Sequence, residues 1–166
     1  MSHSKWFILE GIIFILLGIA AIAVPAVMTL TINMLIGWLF LLGGLVKGIR
    51  TFQAWGAPGF WPSVLSSILY VVAGSLFLLY PLTGILTLTI LLASFFLVEG
   101  IAEIAFGYEL SGWFIFSGLI NLVLGAIIWS GWPGTAVWTI GLLVGVNLLM
   151  YGFSLLAYHK QIPFKP

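Results

Sequence analysis

The sequence predicts an all-α integral membrane protein with six transmembrane helices, and two observations support this prediction. First, 63% of the 166 residues are hydrophobic and only 5% are charged, whereas soluble domains usually carry about 25% charged residues. Second, the stretches 11–46, 51–98 and 110–158 contain no Asp, Glu, Lys or Arg. This small number of charged side chains cannot cover the surface of a soluble domain. We therefore expect lipid to surround most of the protein surface.

Each of these stretches is long enough for two membrane crossings. They contain 36, 48 and 49 residues, and one helical crossing needs roughly 20. A proline interrupts each stretch, at Pro25, Pro81 and Pro133. Runs this apolar, without polar alternation, argue against a β-barrel, so the crossings must be helices. The predicted spans are 6–24, 27–49, 61–80, 83–106, 112–130 and 134–157.

Alignment of the chain on its three prolines, which are 56 and 52 residues apart, predicts an internal threefold repeat. Small residues stand twelve and nineteen positions after each proline, and small pairs seven apart precede it. The residues after the prolines are Gly37 and Gly44, Ala93 and Gly100, and Gly145 and Gly152. The pairs before the prolines are Gly11 and Gly18, Ser67 and Gly74, and Gly118 and Gly125. We expect one membrane domain over 1–166, with two-helix repeats at about 6–49, 61–106 and 112–158. Loops are expected at about 50–60 and at 107–111, and the repeats should have a pseudo-threefold arrangement.

The basic residues predict the orientation. They fall at the N-terminus, near the 50–60 loop and at the C-terminus, which six spans place on one side: Lys5, Lys47, Arg50, Lys160 and Lys165. The three proline turns contain no Lys or Arg. By the positive-inside rule, both termini should face the cytoplasm.

The small residues seven apart mark one stripe on each helix, since seven residues cover about two turns. In lipid, such stripes allow close helix packing. Packing within the chain is the main expectation, and contact with a second copy or with another membrane protein is the alternative. The predicted partners are therefore the lipid bilayer and such a protein.

Three carboxylates are candidate functional residues: Glu10, Glu99 and Glu103. Glu99 and Glu103 lie one turn apart on one face of the fourth helix. One hypothesis is a carboxylate cluster that responds to protons or cations; the alternative is ion pairing with Lys47, Arg50 or Lys160. In the repeat alignment Glu103 corresponds to Lys47 and Leu155, so the acids do not form a symmetric ring.

Asn33, Asn121 and Asn147 are the candidate intramembrane polar residues. Asparagine between membrane helices usually hydrogen-bonds to a neighbouring helix, and a solute pathway is the alternative. The threonines six positions after each proline, at 31, 87 and 139, should bond to carbonyls of their own helix.

The sequence predicts no enzyme, no cofactor and no metal site. Both histidines are close to the termini, cysteine is absent, and no phosphate-binding loop or nucleotide fingerprint is present. The net charge of +1 and the lack of a basic cluster argue against a nucleic-acid partner.

The threefold pattern resembles the HdeD family of bacterial membrane proteins. The resemblance lies in Trp6, Gly18, Pro25 and Gly44, in Trp61, Gly74, Pro81 and Gly100, and in Trp113, Gly125, Pro133 and Gly152. The third turn, Trp132-Pro133-Gly134, matches the family pattern fully, whereas Val24-Pro25-Ala26 and Tyr80-Pro81-Leu82 depart from it. The resemblance implies a bacterial inner-membrane protein of acid resistance, and it provides no catalytic residues.

Three functional hypotheses follow. The first is a non-enzymatic acid- or stress-resistance protein that supports the membrane or binds a partner. The second is a small transporter or channel for protons or a solute. The third is an accessory subunit of a larger membrane complex.

Overall fold

The computed structural model describes the backbone of residues 3–107 and 112–159 and the side chains of residues 6–107 and 112–157. Six helices and no strand lie in this part of the chain: α1 (His3–Ala23), α2 (Pro25–Gln53), α3 (Phe60–Leu79), α4 (Pro81–Gly107), α5 (Gly112–Gly131) and α6 (Ala136–His159). All six are long and apolar enough to cross a membrane. The predicted fold class, all-α with six membrane-spanning helices, is confirmed, and the arrangement as three tandem repeats stays a prediction.

Two of the prolines begin helices and do not lie within turns. Pro25 and Pro81 are the first residues of α2 and α4, two residues before the predicted span starts. Proline suits this position because its missing N–H would have no partner there and its φ is already helical. A single residue connects each of these helices to the one before it: Val24 lies between α1 and α2, and Tyr80 lies between α3 and α4. Each donates its N–H to the carbonyl four residues earlier, and its carbonyl accepts from the N–H four residues later.

The third turn is longer. It runs from Gly131, where α5 ends, to Ala136, where α6 begins, and Pro133 lies inside it. The Thr135 hydroxyl donates to the Ile128 carbonyl at 2.8 Å, and the Thr135 N–H donates to the Gly131 carbonyl at 3.0 Å. These bonds satisfy carbonyls at the end of α5 that have no partner within the helix.

The predicted 50–60 loop is shorter than expected, because α2 continues to Gln53 and α3 begins at Phe60. Gly56 and Gly59 turn the chain with φ values of 82° and 88°, a backbone conformation that residues other than glycine rarely adopt. Four aromatic rings gather around this loop: Phe52, Trp55, Phe60 and Trp61. Such residues are typical of the membrane–water interface.

The chain divides into two compact units. The first unit comprises Met1–Thr29 and Val137–Pro166, and in it α1 packs against α6. Gly11 faces the carbonyl of Gly152, and Gly18 faces the carbonyl of Gly145. A Cβ added at Gly18 would lie 2.9 Å from the Gly145 oxygen, so these helices meet backbone to backbone.

The second unit comprises Leu30–Ala136, and it contains two further helix pairs of the same kind. In the α2/α3 pair, Gly74 faces the carbonyl of Gly37, and the Ser67 hydroxyl donates to the Gly44 carbonyl at 2.7 Å. In the α4/α5 pair, small residues face one another at two levels, Gly100 with Gly118 and Ala93 with Gly125.

The small stripes predicted from the sequence therefore pack against one another inside the chain. In the second unit, the stripes pair α2 with α3 and α4 with α5, which are the helices joined by the longer connections. Accordingly, α4 packs more extensively against α5 than against α3. We call these contacts the glycine seams of α1/α6, α2/α3 and α4/α5. The seam glycines are covered by the chain itself, including the repeat residues Gly44, Gly100 and Gly152.

Large apolar side chains point outward and small ones inward. At most 22% of the residues in any of the six spans are buried, and Leu39 and Val98 are 70% and 67% exposed. The buried apolar residues include Ala21, Ala93 and Ala136. A soluble domain shows the opposite distribution, so the chain is a multi-pass membrane protein whose outer face contacts lipid.

Candidate functional site

A polar cluster lies between α4 and α5 and joins two of the residues that the sequence singled out. The carboxylate of Glu103 accepts hydrogen bonds from the Asn121 amide at 2.9 Å and from the Ser117 hydroxyl at 3.2 Å. All three side chains are half-buried. We call this group the Glu103 cluster.

The glycine seam positions the Glu103 cluster. Gly100 lies opposite Gly118, and this register sets Glu103, one turn further along α4, beside the start of α5. A Cβ added at Gly118 would lie 3.0 Å from the Glu103 Cβ. Because the backbones approach so closely, the short side chains of Ser117 and Asn121 can reach the carboxylate. Two donors from one neighbouring helix thus satisfy both oxygens of a half-buried carboxylate.

The other two candidate carboxylates lie elsewhere. Glu99 is half-buried on α4, one turn before Glu103, and Glu10 is exposed on α1. The expected pairing with basic residues is not formed between described residues: Glu103 instead accepts from Asn121 and Ser117. Lys160, the third expected cation, lies outside the described residues, as do Lys165 and the side chain of Lys5.

Lys47 has an aromatic partner in place of a carboxylate. Its Nζ lies 5.3 Å from the ring centroid of Tyr70 on α3, a distance at which a cation is attracted to the face of an aromatic ring. Tyr70 also packs against Phe40, with ring centroids 5.4 Å apart. The sequence analysis used Lys47 for orientation and as a possible ion-pair partner of the carboxylates, and it did not predict the contact with an aromatic ring. Lys47 and Tyr70 lie on different helices, so no local sequence pattern could predict that they are in contact.

Asn33 is the most deeply buried of the three asparagines. Its side chain is fully buried, and its amide donates to the carbonyl of Phe77 on α3 at 3.0 Å. Its Oδ1 has no hydrogen-bond partner among the described residues and lies against Gly84 of α4. Glycine is required at 84 because a Cβ there would collide with this oxygen.

Asn121 belongs to the Glu103 cluster, whereas Asn147 is exposed on α6. Asn33 and Asn121 thus bond to neighbouring helices in the way expected of structural asparagines, and what they contribute to function stays a prediction.

Two fully buried threonines were missed by the sequence analysis. In the first unit, Thr29 is fully buried and its hydroxyl accepts from the Gly141 N–H at 2.9 Å. In the second unit, Thr89 is fully buried, and its hydroxyl is 2.8 Å from the Ile85 carbonyl and 3.5 Å from that of Ala136.

A sequence signal for these contacts exists eight positions after each proline, where Asn33, Thr89 and Gly141 stand. All three are buried. The sequence analysis singled out the sixth position instead, and there Thr87 is exposed and donates to the Thr83 carbonyl of its own helix at 2.8 Å, as expected.

The described residues contain no group of three or more His, Cys, Asp or Glu side chains that could hold a metal ion. Three of the described polar contacts join neighbouring helices. The Glu103 cluster links α4 to α5, Asn33 links α2 to α3, and Ser67 links α3 to α2.

Six apolar helices, glycine seams and polar contacts between neighbouring helices define a multi-pass membrane protein built of closely packed helix pairs. The family model described as a short repeat of unknown function, DUF308, matches residues 9–79 and 65–130, which together make up more than half of the chain. The chain belongs to this family. The two matches begin 56 residues apart, the interval that also separates Pro25 from Pro81.

Curated relatives carry the name Protein HdeD. Those of Escherichia coli strain K12, Escherichia coli O157:H7 and Shigella flexneri are each 23% identical to this chain over 165 residues. The similarity covers 95% of this chain and 86% of each relative, so the resemblance to the HdeD family is confirmed. No solved structure matches the chain.

Proposed function

We propose that this chain is a non-enzymatic protein of the bacterial inner membrane that contributes to acid or stress resistance. Its role is to support the membrane or to bind a membrane partner. The observation that carries this proposal is the similarity to Protein HdeD along 95% of the chain, read with the acid-resistance role that the family resemblance implies.

The geometry of the described polar groups supports a structural role. The Asn33 amide donates to a carbonyl of α3, and the Ser67 hydroxyl donates to a carbonyl of α2. These bonds hold neighbouring helices together, and the seam glycines allow the helices to approach closely. A tightly joined set of spans suits a protein that must keep its fold when the surroundings turn acid.

The proposal includes an orientation with both termini in the cytoplasm and a single membrane domain over the whole chain. Lys47 and Arg50 lie near the end of α2 that is remote from Pro25, and the proline turns carry no Lys or Arg. A fluorescent protein that folds only in the cytoplasm, fused to the C-terminus, should fluoresce. A periplasmic phosphatase at that position should be inactive, and the reverse pattern would contradict the orientation.

Acid survival of a deletion strain tests the proposal. We expect the strain to die faster than its parent at low pH and the full chain to restore survival. The triple variant Glu10→Gln, Glu99→Gln, Glu103→Gln should restore it equally, because Gln can still accept hydrogen bonds from Asn121 and Ser117. Normal survival of the deletion strain would contradict the acid-resistance role, and failure of the triple variant, if it is present in the membrane at the parental level, would contradict a purely structural role.

A second candidate function is proton or solute conduction, and the Glu103 cluster favours it. The Glu103 carboxylate is half-buried and accepts two hydrogen bonds from the neighbouring helix, and carboxylates within membrane bundles are typical of ion and proton pathways. Purified full chain in liposomes with an internal pH dye discriminates the two functions. Our main proposal predicts no proton leak above empty liposomes. A leak abolished by Glu103→Gln and kept by Ser154→Ala, a control at an exposed position of α6, would establish conduction.

A further inference from the structure

A hollow on the outer face of α2 is large enough to hold part of a lipid molecule. It has a volume of about 530 Å³, opens to the exterior, and is lined almost wholly by apolar side chains of α2, α3 and α4: Ile36, Leu39, Phe40, Gly43, Tyr70 and Leu88. This volume is within the usual range for small-molecule sites, roughly 300–1,000 Å³.

Gly43 forms the floor of this hollow. It is the exposed glycine of α2, and a Cβ added there would have no atom within 4 Å, so no packing contact requires glycine at this position. The positions equivalent to Gly43 in the predicted repeats carry Glu99 and Tyr151. Glycine at this position is therefore specific to α2 among the helices that begin at or just after a proline.

A second hollow of about 500 Å³ continues the first toward the C-terminal end of α2, since both include Leu39 and Gly43. Lys47 and Arg50 line this second hollow. We call the two hollows together the α2 groove. Ile36 and Lys47 are separated by about 16 Å along the helix axis at 1.5 Å per residue, which matches half of a hydrocarbon core about 30 Å thick.

We expect the two cations of the α2 groove to lie at the level of the lipid headgroups. The aromatic residues Phe52 and Trp55 follow them directly and are exposed, as expected at the membrane–water interface. No ion pair joins Lys47 or Arg50 to another described residue; Lys47 lies over the Tyr70 ring. In the predicted repeats the equivalents of Lys47 are Glu103 and Leu155, and those of Arg50 are Phe106 and Tyr158. Both cations are thus specific to the groove.

We infer that the α2 groove binds one anionic phospholipid, with an acyl chain along Ile36, Leu39 and Gly43 and the phosphodiester between Lys47 and Arg50. Charge complementarity selects the headgroup, because each basic residue near an anionic lipid surface contributes measurably to binding. The open floor at Gly43 accommodates the chain. This inference does not rest on the proposed role in acid resistance, and its assay measures lipid binding alone.

Native mass spectrometry of the full chain in detergent tests the inference, with dioleoyl phosphatidylglycerol, dioleoyl phosphatidylcholine and glycerol 3-phosphate as probes. We expect phosphatidylglycerol to bind more tightly than phosphatidylcholine, and glycerol 3-phosphate not to bind. The variant Lys47→Gln, Arg50→Gln should lose about fivefold in phosphatidylglycerol affinity for each cation removed and thereby approach its affinity for phosphatidylcholine. Lys47→Arg, Arg50→Lys keeps both charges and should retain the preference.

A second variant tests the apolar part of the site. Gly43→Leu fills the floor without changing charge, and it should weaken the binding of both lipids. Ala126→Leu, which adds the same kind of volume at an exposed position of α5, is the matched control and should change neither. Equal affinity for the two lipids, unaltered phosphatidylglycerol binding in the Lys47→Gln, Arg50→Gln variant, or binding of glycerol 3-phosphate as tight as that of lipid would overturn the inference. A parent chain that forms a dimer without bound lipid, together with a Gly43→Leu variant that is monomeric, would also overturn the inference. The occupant of the α2 groove would then be a second copy of the chain.

Discussion

The α2/α3 and α4/α5 pairs have the same glycine seam but opposite chemistry beside it. Lys47 and Glu103 are equivalent in the predicted repeats, and so are their partners Tyr70 and Asn121. In one pair a cation lies 5.3 Å from an aromatic ring, and in the other a carboxylate accepts from an amide at 2.9 Å. The seam determines which positions meet, and the side chains at those positions can then change sign without altering how the helices pack.

The α1/α6 pair extends the comparison to an apolar version. Phe14 stands at the position of Tyr70 and Asn121, and its ring packs edge-on against Tyr151 with centroids 5.0 Å apart. Leu155 stands at the position of Lys47 and Glu103. Because all three pairs keep small residues at the seam, we infer that the close backbone approach is the common requirement and that the neighbouring contact is free to specialise.

The largest expected effect comes from adding a methyl group to the two seams. Gly74 and Gly125 are equivalent, but a Cβ at Gly74 would meet the backbone of α2, at Leu41 and at 2.7 Å from the Gly37 oxygen. At Gly125 it would first meet the side chain of Leu97, at 2.9 Å. Flexible side chains can move and backbone cannot, so Gly74→Ala should cost about 3 kcal/mol of unfolding free energy and Gly125→Ala about 1 kcal/mol.

Unfolding of the purified chain by SDS in mixed micelles, followed by circular dichroism, measures this difference. Gly43→Ala is the control, because the Cβ there has no neighbour within 4 Å and alanine is the better helix former; it should be neutral or slightly stabilising. Equal losses at Gly74 and Gly125 would mean that the two seams are equally rigid, contrary to the comparison.

The seams also show how far the sequence could predict the fold. The uncharged stretches and the three prolines predict six helices, and the stripes of small residues predict which face of each helix is buried. A stripe does not specify the helix that it meets, because a neighbour across a proline turn and one across a longer loop satisfy the same pattern. Pro81 joins α3 to α4, yet Gly100 packs against Gly118 of α5. Only the three-dimensional register could reveal this.

The next effect in size concerns the buried contacts of α2 and α4. Asn33 and Thr89 are equivalent, and they lie beside Gly84 and Ala136, which are also equivalent. Gly84→Ala should destabilise the chain by about 1–3 kcal/mol, because the new Cβ collides with the Asn33 Oδ1. In the double variant Gly84→Ala, Asn33→Thr, the two positions carry the same residue types as Ala136 and Thr89. The double variant should therefore regain most of the lost unfolding free energy, although the hydrogen bond to the Phe77 carbonyl is no longer made.

The same SDS titration compares the two single variants, the double variant and the parent. Ile85→Val, a conservative change at the neighbouring buried residue of α4, shows the cost of a perturbation that does not touch Asn33. If Asn33→Thr adds its own loss to that of Gly84→Ala and rescues nothing, the two positions are not in the contact that the structure describes.

These polar contacts mark where sequence reasoning stops for the candidate site. Asn33, Asn121 and Glu103 could be singled out because polar groups in an apolar span are costly. Their partners could not be predicted: Ser117 and Asn121 reach Glu103 only because Gly100 and Gly118 bring α4 and α5 together. Thr29 and Thr89 gave still less signal, since a threonine in a membrane helix usually bonds to its own carbonyls.

The smallest expected effect is the coupling within each pair, and it tests the chemistry beside the seams directly. Hydrogen bonds between membrane helices contribute about 0.6 kcal/mol on average and at most about 1.7 kcal/mol. A double-mutant cycle of Glu103→Leu and Asn121→Leu should give a coupling in the upper part of that range, because a charged acceptor strengthens the bond. The cycle of Lys47→Leu and Tyr70→Leu should give about 0.5 kcal/mol, as for exposed cation–π contacts.

Transplanting one pair into the other sharpens this test. Lys47→Glu alone places a carboxylate over the Tyr70 ring, whose face repels anions, and should lower the unfolding free energy. Adding Tyr70→Asn recreates the Glu103–Asn121 contact on α2 and α3, so the double variant should be more stable than Lys47→Glu alone by about 1 kcal/mol. Tyr70→Asn by itself is the control and should not stabilise the chain. If the double variant is no more stable than Lys47→Glu, the two seams do not present their side chains in the same register, and the equivalence of α2/α3 with α4/α5 is lost.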